Sequence, residues 1–98
     1  MNVVVLAGSI VAEPVERELP SGDTLVELRL SVPEAGRRLL PLVVTVDGEL
    51  WKRFDPQPVR GSVVLVHGRL QRRFYRSGAG ARSVTEVVVA QLEVLDTD

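Results

Sequence analysis

The feature that most constrains the fold is a series of short valine- and leucine-rich segments separated by turn residues. In the segment TLVELRLSV, apolar residues occupy every second position, namely Val26, Leu28, Leu30 and Val32. This period of two is typical of a half-buried β-strand. Valine and leucine dominate a hydrophobic fraction of 45%, whereas aromatic residues make up only 4% of the chain. Composition and periodicity therefore both predict an all-β structure.

Four further segments have the character of strands. NVVVLAGSIVA is a near-continuous apolar run, typical of a strand buried on both faces, and Glu13-Pro14 ends it. LVVTV gives a third strand, and GSVVLVHGRLQRRFY gives a long fourth strand with Gly68 as a bulge or bend. SGAG then turns the chain into RSVTEVVVAQLEVL, the fifth strand.

One short helix is predicted between the third and fourth strands. Asp47 can cap it, and Pro56 and Pro58 would end it after about two turns. Its apolar face would consist of Leu50, Trp51 and Phe54, with Trp51 anchored in the core. Five strands with this helix fit a five-stranded Greek-key barrel of the oligonucleotide-binding (OB) type, as a single domain over residues 1–98.

Positive charge is concentrated in one stretch, GRLQRRFYRSGAGAR at residues 68–82. It holds five arginines and no carboxylate, while the whole chain has a formal net charge of −1. The remainder therefore carries roughly −6, which excludes a protein that coats nucleic acid by bulk charge. Any contact with a polyanion must be local and sensitive to salt.

Several classes of function lack the residues they need. The chain has no cysteine, and His67 is its single histidine. This excludes disulfides, thiolate metal ligands and a nitrogen-rich zinc site, and no nucleophile is placed beside His67 to make it a catalytic base. We therefore expect no cofactor, no metal and no enzymatic activity. The apolar N-terminal run lacks a basic leader and is too short to span a bilayer, so we expect a cytoplasmic protein with no membrane contact.

Three segments, MNVVVLAGSIVAEPVERELPSGDTLVELRLSV, GSVVLVHGRLQRRFY and ARSVTEVVVAQLEVL, resemble the bacterial single-stranded DNA-binding proteins. The family's G-x-L-x-x-D-P-E-x-R opening is recognisable from Gly8 to Arg17, with Glu13 in place of the aspartate. The resemblance implies an OB-fold core and binding of single-stranded DNA along the barrel surface. It also implies a homodimer, or a homotetramer of two dimers, formed by pairing of the first strands through Val3, Val4, Val5 and Leu6. An unpaired valine-rich edge strand would favour the same pairing.

The sequence also departs from the family pattern. The family's aromatic stacking positions fall on Gly36, Pro41, Asp47 and Tyr75, and only Tyr75 is aromatic. The loop PEAGRRLLP is short, and the sequence ends at LDTD without the family's acidic-tipped tail. The resemblance therefore implies an accessory, short paralogue with a reduced stacking surface.

Each candidate residue has a functional and an ordinary structural interpretation. The candidate DNA-binding residues are Tyr75, Arg69, Arg72, Arg73, Arg76, Arg82, Arg37 and Arg38. An exposed hairpin would show charged faces in any case, and the two loop arginines would also keep their loop soluble. Tyr75 and Phe74 are adjacent on a strand and face opposite ways, so we expect one to pack and the other to be exposed.

Two functions remain open from the sequence. The first is a non-catalytic single-stranded DNA-binding protein acting in DNA replication or repair, which Tyr75 and the acid-free segment favour. The second is an OB-fold module for oligomerisation or protein interaction that has lost most DNA binding and pairs with other OB-fold or replication proteins. The three missing rings and the acidic balance of the chain favour this second interpretation.

Overall fold

The computed structural model describes residues 1–33 and 41–96 of the chain. In chain order its elements are β1 (Val4–Ile10), β2 (Val15–Glu18), β3 (Thr24–Ser31), β4 (Leu42–Asp47), α1 (Gly48–Trp51), β5 (Val63–Ser77) and β6 (Gly80–Asp96).

The strands form one closed sheet. Neighbouring strands follow the order β1-β5-β6-β4-β3-β2, and β1 also pairs with β3 at Ser9 and Ile10, which closes the ring. Every pairing is antiparallel except that between β4 and β6, where Val44 lies opposite Val87. The prediction of an all-β OB barrel with one short helix between the third and fourth predicted strands is confirmed.

The core consists of the inward-facing residues of these strands, and the alternation predicted for residues 24–32 is confirmed. Val26, Leu28 and Leu30 are fully buried, and Val32 packs against the same core. Trp51 is also buried, as expected of a core anchor. Its ring centroid lies 6.4 Å from that of Phe54.

The first strand differs from the prediction that both of its faces are buried. Val4 and Leu6 pack against the core, whereas Val3 and Val5 are 65% and 56% exposed. The continuous apolar run therefore does not indicate two buried faces within one chain. The outward-facing valines lie on the outer side of the barrel, where the described residues do not cover them.

Two local elements differ from the sequence prediction in length or number. The strand β2, VERE, is not predicted by the sequence, because all four of its residues are exposed and it carries no apolar alternation. It pairs with β3 across the turn at residues 19–22.

The helix α1 is one turn long instead of the predicted two. Its cap is as predicted, because Asp47 Oδ1 accepts a hydrogen bond from Glu49 N at 3.4 Å. Beyond Trp51 the backbone tightens into i to i+3 hydrogen bonds, such as Phe54 N to Trp51 O at 3.3 Å.

Gly68 lies where β5 leaves the barrel, and the sheet is irregular at that point. His67 is opposite Gln91 but Gly68 is opposite Val89, so Ala90 of β6 is the extra residue of a bulge. A Cβ at position 68 would overlap the carbonyl oxygen of Val88 and lie 3.0 Å from its carbonyl carbon. Only glycine allows the two backbones to approach this closely.

Substitution of Gly68 tests this contact. We expect Gly68→Ala to lower the free energy of unfolding by about 3 kcal/mol, because the overlap is with rigid backbone and can be relieved only by moving a strand. Urea denaturation measures the change. The matched control is Gly78→Ala in the hairpin turn, where a Cβ would meet nothing within 4 Å. Equal midpoints for the two variants would contradict the proposed role of Gly68.

Candidate nucleic-acid interface

Beyond Gly68, β5 and β6 continue as a long two-stranded segment that we call the arginine hairpin (residues 69–88). At its base, Val87 is still buried in the core and lies opposite Val44 of β4. Its pairing runs from Arg69 opposite Val88 to Ser77 opposite Gly80, with Gly78 and Ala79 forming the turn. The turn predicted at SGAG lies at its tip. The five candidate arginines of the long segment are therefore carried by one continuous hairpin.

The hairpin separates these arginines into two sets. Directly opposite residues of two strands share a face, and neighbours along a strand do not. Arg69 and Arg73 of β5 share a face with Val88 and Val84 of β6, and Arg82 follows at the next position of the same alternation. Arg72 and Arg76 lie on the opposite face. Tyr75 pairs with Arg82 through its backbone, and its side chain lies outside the part of the chain that the structure describes.

The first face borders a cleft on the outer side of the barrel. This cleft has a volume of about 400 Å³ and is lined by Arg17, Glu27, Arg29, Val43, Arg73 and Val84. Arg73 is the one predicted DNA-binding residue in this lining. The predicted Arg37 and Arg38 lie outside the described residues.

Sequence reasoning missed two arginines of this cleft. Arg29 could have been found, because it lies on the polar face of the alternating segment at residues 24–32. Arg17 was recognised as the last residue of the motif that begins at Gly8, but nothing in the sequence places it in this cleft, because the pairing of β2 with β3 is not indicated there. The fold therefore extends the positive surface from the hairpin across to β3 and β2.

Glu27 holds Arg17 and Arg29 in position. Its Oε2 lies 3.2 Å from Arg17 Nε, and its Oε1 lies 4.0 Å from a terminal nitrogen of Arg29. The Glu27 side chain is 11% exposed, whereas each arginine side chain is 55% exposed. Because a guanidinium has five N–H donors, both arginines keep donors that face solvent. An anion entering the cleft can bind them without breaking the contacts with Glu27.

A second carboxylate lies beside the hairpin arginines, although residues 68–82 contain none. Glu86 of β6 is 4% exposed at its side chain, and its Oε1 lies 3.9 Å from Arg73 Nε. Gln71 Nε2 donates to the same oxygen at 3.4 Å, and Arg69 donates to Gln71 Oε1 at 3.1 Å. These contacts connect Arg69 and Arg73 through Gln71 and Glu86. The other oxygen, Oε2, is buried with no hydrogen-bond partner among the described residues.

The predicted dimer residues occupy one edge of the sheet. β1 pairs with β5 from Val4 to Ser9, and its other edge is paired only at Ser9 and Ile10 within the part of the chain that the structure describes. Val3 and Val5 are exposed on the outer face, and half-buried His67 lies directly opposite Val5. At the start of the strand, the Asn2 side chain donates to Leu70 O and accepts from Leu70 N, both at 2.8 Å.

Metal sites and membrane-spanning helices are both absent from the described residues. Over residues 1–33 and 41–96, no three His, Cys, Asp or Glu side chains come together in a way that could hold a metal ion. In the same part of the chain, no helix has the length and apolar character needed to cross a membrane.

The environment of Glu86 predicts an unusual response to substitution. We expect Glu86→Met to leave the free energy of unfolding unchanged or to raise it by up to about 2 kcal/mol, because a buried carboxylate with an unpaired oxygen is replaced by an apolar side chain of similar size. Chemical denaturation measures the change, and Glu93→Met, at an exposed position of the same strand, is the control expected to stay within about 0.5 kcal/mol. A clear loss of stability in Glu86→Met alone would contradict this account of the site.

Comparison with known proteins adds two findings. The model of the single-strand binding protein family matches residues 1–95. A solved structure described as Plasmodium falciparum SSB in complex with ssDNA is similar in fold, with a TM-score of 0.82 and 23% sequence identity. The similarity covers 98% of this chain and 96% of that chain.

Proposed function

Since this chain belongs to the single-strand binding protein family, we propose that it binds single-stranded DNA without catalysis, along the cleft and the arginine hairpin. We further propose that it is an accessory member of the family, acting in DNA replication or repair. The proposal that the chain is an accessory member rests on three of the family's stacking positions, Gly36, Pro41 and Asp47, which carry no ring in this sequence.

The observation that carries the proposal is the convergence of arginines from three strands on one cleft. Arg17, Arg29 and Arg73 come from β2, β3 and β5, and all three side chains are about half exposed. A negatively charged backbone passing through the cleft would meet these cations in turn. The Plasmodium falciparum protein of the same fold was solved with ssDNA, which supports this choice of polyanion.

The chemistry of the cleft suits a strand of any sequence. Guanidinium groups bind phosphate oxygens with two parallel hydrogen bonds, which hold the backbone but do not distinguish bases. Val43 and Val84 line the same cleft and offer apolar surface to the bases. Tyr75 would add base stacking, as the family resemblance implies, and stacking is tolerant of sequence because every base has a π-face. The proposed function is therefore to hold and shield a single strand.

Binding to a labelled oligo-dT tests this proposal by fluorescence anisotropy at several salt concentrations. We expect saturable binding that weakens with salt, and about a 10-fold loss of affinity for Arg73→Ala, since a hydrogen bond between charged groups is worth about 1.5 kcal/mol. The slope of log affinity against log salt should become shallower by about 0.7 for each phosphate that the variant no longer neutralises. Arg60→Ala is the matched control, because Arg60 is exposed in the turn that precedes β5, at the end of that strand away from the hairpin.

A parallel variant tests the stacking role of Tyr75. We expect Tyr75→Ala to weaken binding by about 5- to 150-fold without changing the salt slope, because stacking is worth about 1 to 3 kcal/mol per base and involves no phosphate. If the unmodified chain does not bind oligo-dT even at low salt, the DNA proposal is wrong and the interaction-module hypothesis takes its place.

We also propose that two copies pair through β1, forming a homodimer or a homotetramer of two dimers. The edge of β1 between Val4 and Gly8 is unpaired in the described chain, and Val3 and Val5 are exposed beside it. Antiparallel pairing with a second copy would satisfy the free backbone groups of both edges and cover the valines. Leu6 packs against the core, so its contribution would come from its backbone.

Charge placed on this edge should separate the copies. We expect Val5→Lys to shift the chain to a monomer of 10.7 kDa, because symmetric pairing would bring two lysines close together in a desolvated interface. Sedimentation equilibrium measures the mass. Val59→Lys is the control, since Val59 is 48% exposed in a loop outside β1. An unmodified chain that is already monomeric at high concentration would refute the pairing.

A further inference from the structure

We propose that Phe74 is a base-stacking position on the face of the arginine hairpin that points away from the cleft, so that one single strand of nucleic acid contacts both faces of the hairpin. This inference rests on the proposed function and extends it to a residue that the family resemblance does not indicate. It also changes the path expected for the strand.

The first observation is the exposure of Phe74. Its side chain is among the most exposed large hydrophobic ones of the described chain, at 72%. Its cross-strand partner is Ser83, and the next residues of β6 on the same face are Ala81 and Thr85. These small residues cannot cover an aromatic ring. A solvated phenylalanine at the middle of a hairpin contributes nothing to the core of the protein.

The second observation is its direction. Arg73 faces the cleft, where it contacts Glu86 and contributes to the lining. Successive side chains of a strand point to opposite faces, so Phe74 points away from the cleft. Of the two adjacent aromatics, Phe74 is exposed, and the expectation that the other ring packs stays a prediction, because the Tyr75 side chain lies outside the described part of the structure. A strand confined to the cleft would not reach it.

The third observation is the charge beside the ring. Arg72 and Arg76 lie two residues away on either side and share its face, each about 7 Å along the strand. No carboxylate occurs between residues 68 and 82. A ligand for this face must therefore be anionic and must carry flat apolar groups, which together describe a single-stranded nucleic acid. A second copy of the same face would place arginine against arginine, which disfavours self-association there.

The fourth observation is a route between the two faces. β1 pairs with β5 as far as Gly68, and the Asn2 side chain extends this contact to Leu70. From Gln71 to Ser77, the edge of β5 that faces away from β6 has no strand partner among the described residues. A strand leaving the cleft beside Arg73 can cross this edge and reach Phe74.

Tryptophan fluorescence tests the contact directly. We expect Phe74→Trp to bind oligo-dT at least as tightly as the unmodified chain and to show marked quenching on binding, because the new indole would stack on a base. The native Trp51 is only 3% exposed, so its emission provides a constant background. Val59→Trp is the control, because Val59 is exposed in a loop away from the hairpin, and its emission should not change.

Affinity gives a second, independent readout. We expect Phe74→Leu to weaken oligo-dT binding by about 5- to 150-fold, because the apolar bulk remains but the π-face is lost. The salt slope should not change, since no charge is removed, and this separates the effect from that of the arginine variants. Circular dichroism should show an unchanged fold, as expected of a mostly exposed position.

Four outcomes would overturn the inference. Suppose that the unmodified chain binds oligo-dT. If the affinity of Phe74→Leu is then within twofold of it, or if the fluorescence of Phe74→Trp is not quenched on binding, Phe74 does not contact the DNA strand. The cleft proposal stands in either case. If Phe74→Leu changes the sedimentation mass and leaves DNA affinity intact, Phe74 contacts another copy. If the unmodified chain does not bind at all, the proposed function fails first, and this inference fails with it.

Discussion

The close backbone contact between Gly68 and Val88 determines how the two longest strands are used. Before it, β5 and β6 are members of the barrel and supply Val64, Val66 and Leu92 to the core. After it, they continue as the arginine hairpin, whose base still supplies Val87 to the core. Because no side chain separates the two backbones at the bulge, the sheet can bend there without opening a cavity beneath it. The same pair of strands therefore provides both the closed barrel and the cationic surface attached to it.

Two carboxylates organise the cations of the cleft. Glu27 contacts Arg17 and Arg29, and Glu86 contacts Arg73 and, through Gln71, is connected to Arg69. Both carboxylates are largely covered, while the guanidiniums remain at the surface. The buried carboxylates therefore orient the arginines, and the exposed guanidinium groups are the charges that an approaching polyanion contacts. A chain with a net charge of −1 can in this way present a local positive field, since attraction at short range depends on how charge is distributed and not on its sum.

The barrel could be predicted from the sequence because its signals are local. Alternation marked β3, turn residues marked the ends of the strands, and Gly68 marked the bend. What the sequence did not predict depended on tertiary contacts. VERE forms β2 only because β3 offers an edge, and the first strand has one exposed face although its sequence is almost entirely apolar. The site shows the same division. The hairpin arginines were visible as a cluster, but the separation into two faces, the participation of Arg17 and the position of Glu86 arise from strand register, which the sequence alone does not provide.

The amide of Asn2 connects two regions that are distant along the chain. Its two hydrogen bonds to the backbone of Leu70 continue the β1 pairing with a side chain where the strand itself has ended. The N-terminus is thereby fixed at the base of the hairpin and next to the unpaired edge of β1. Any extension fused directly before Met1, such as a purification tag, would start between the proposed DNA surface and the proposed edge for a second copy. The length and charge of the tag would therefore alter both the measured affinity for DNA and the measured mass of the assembly. Both should be measured after the tag has been removed.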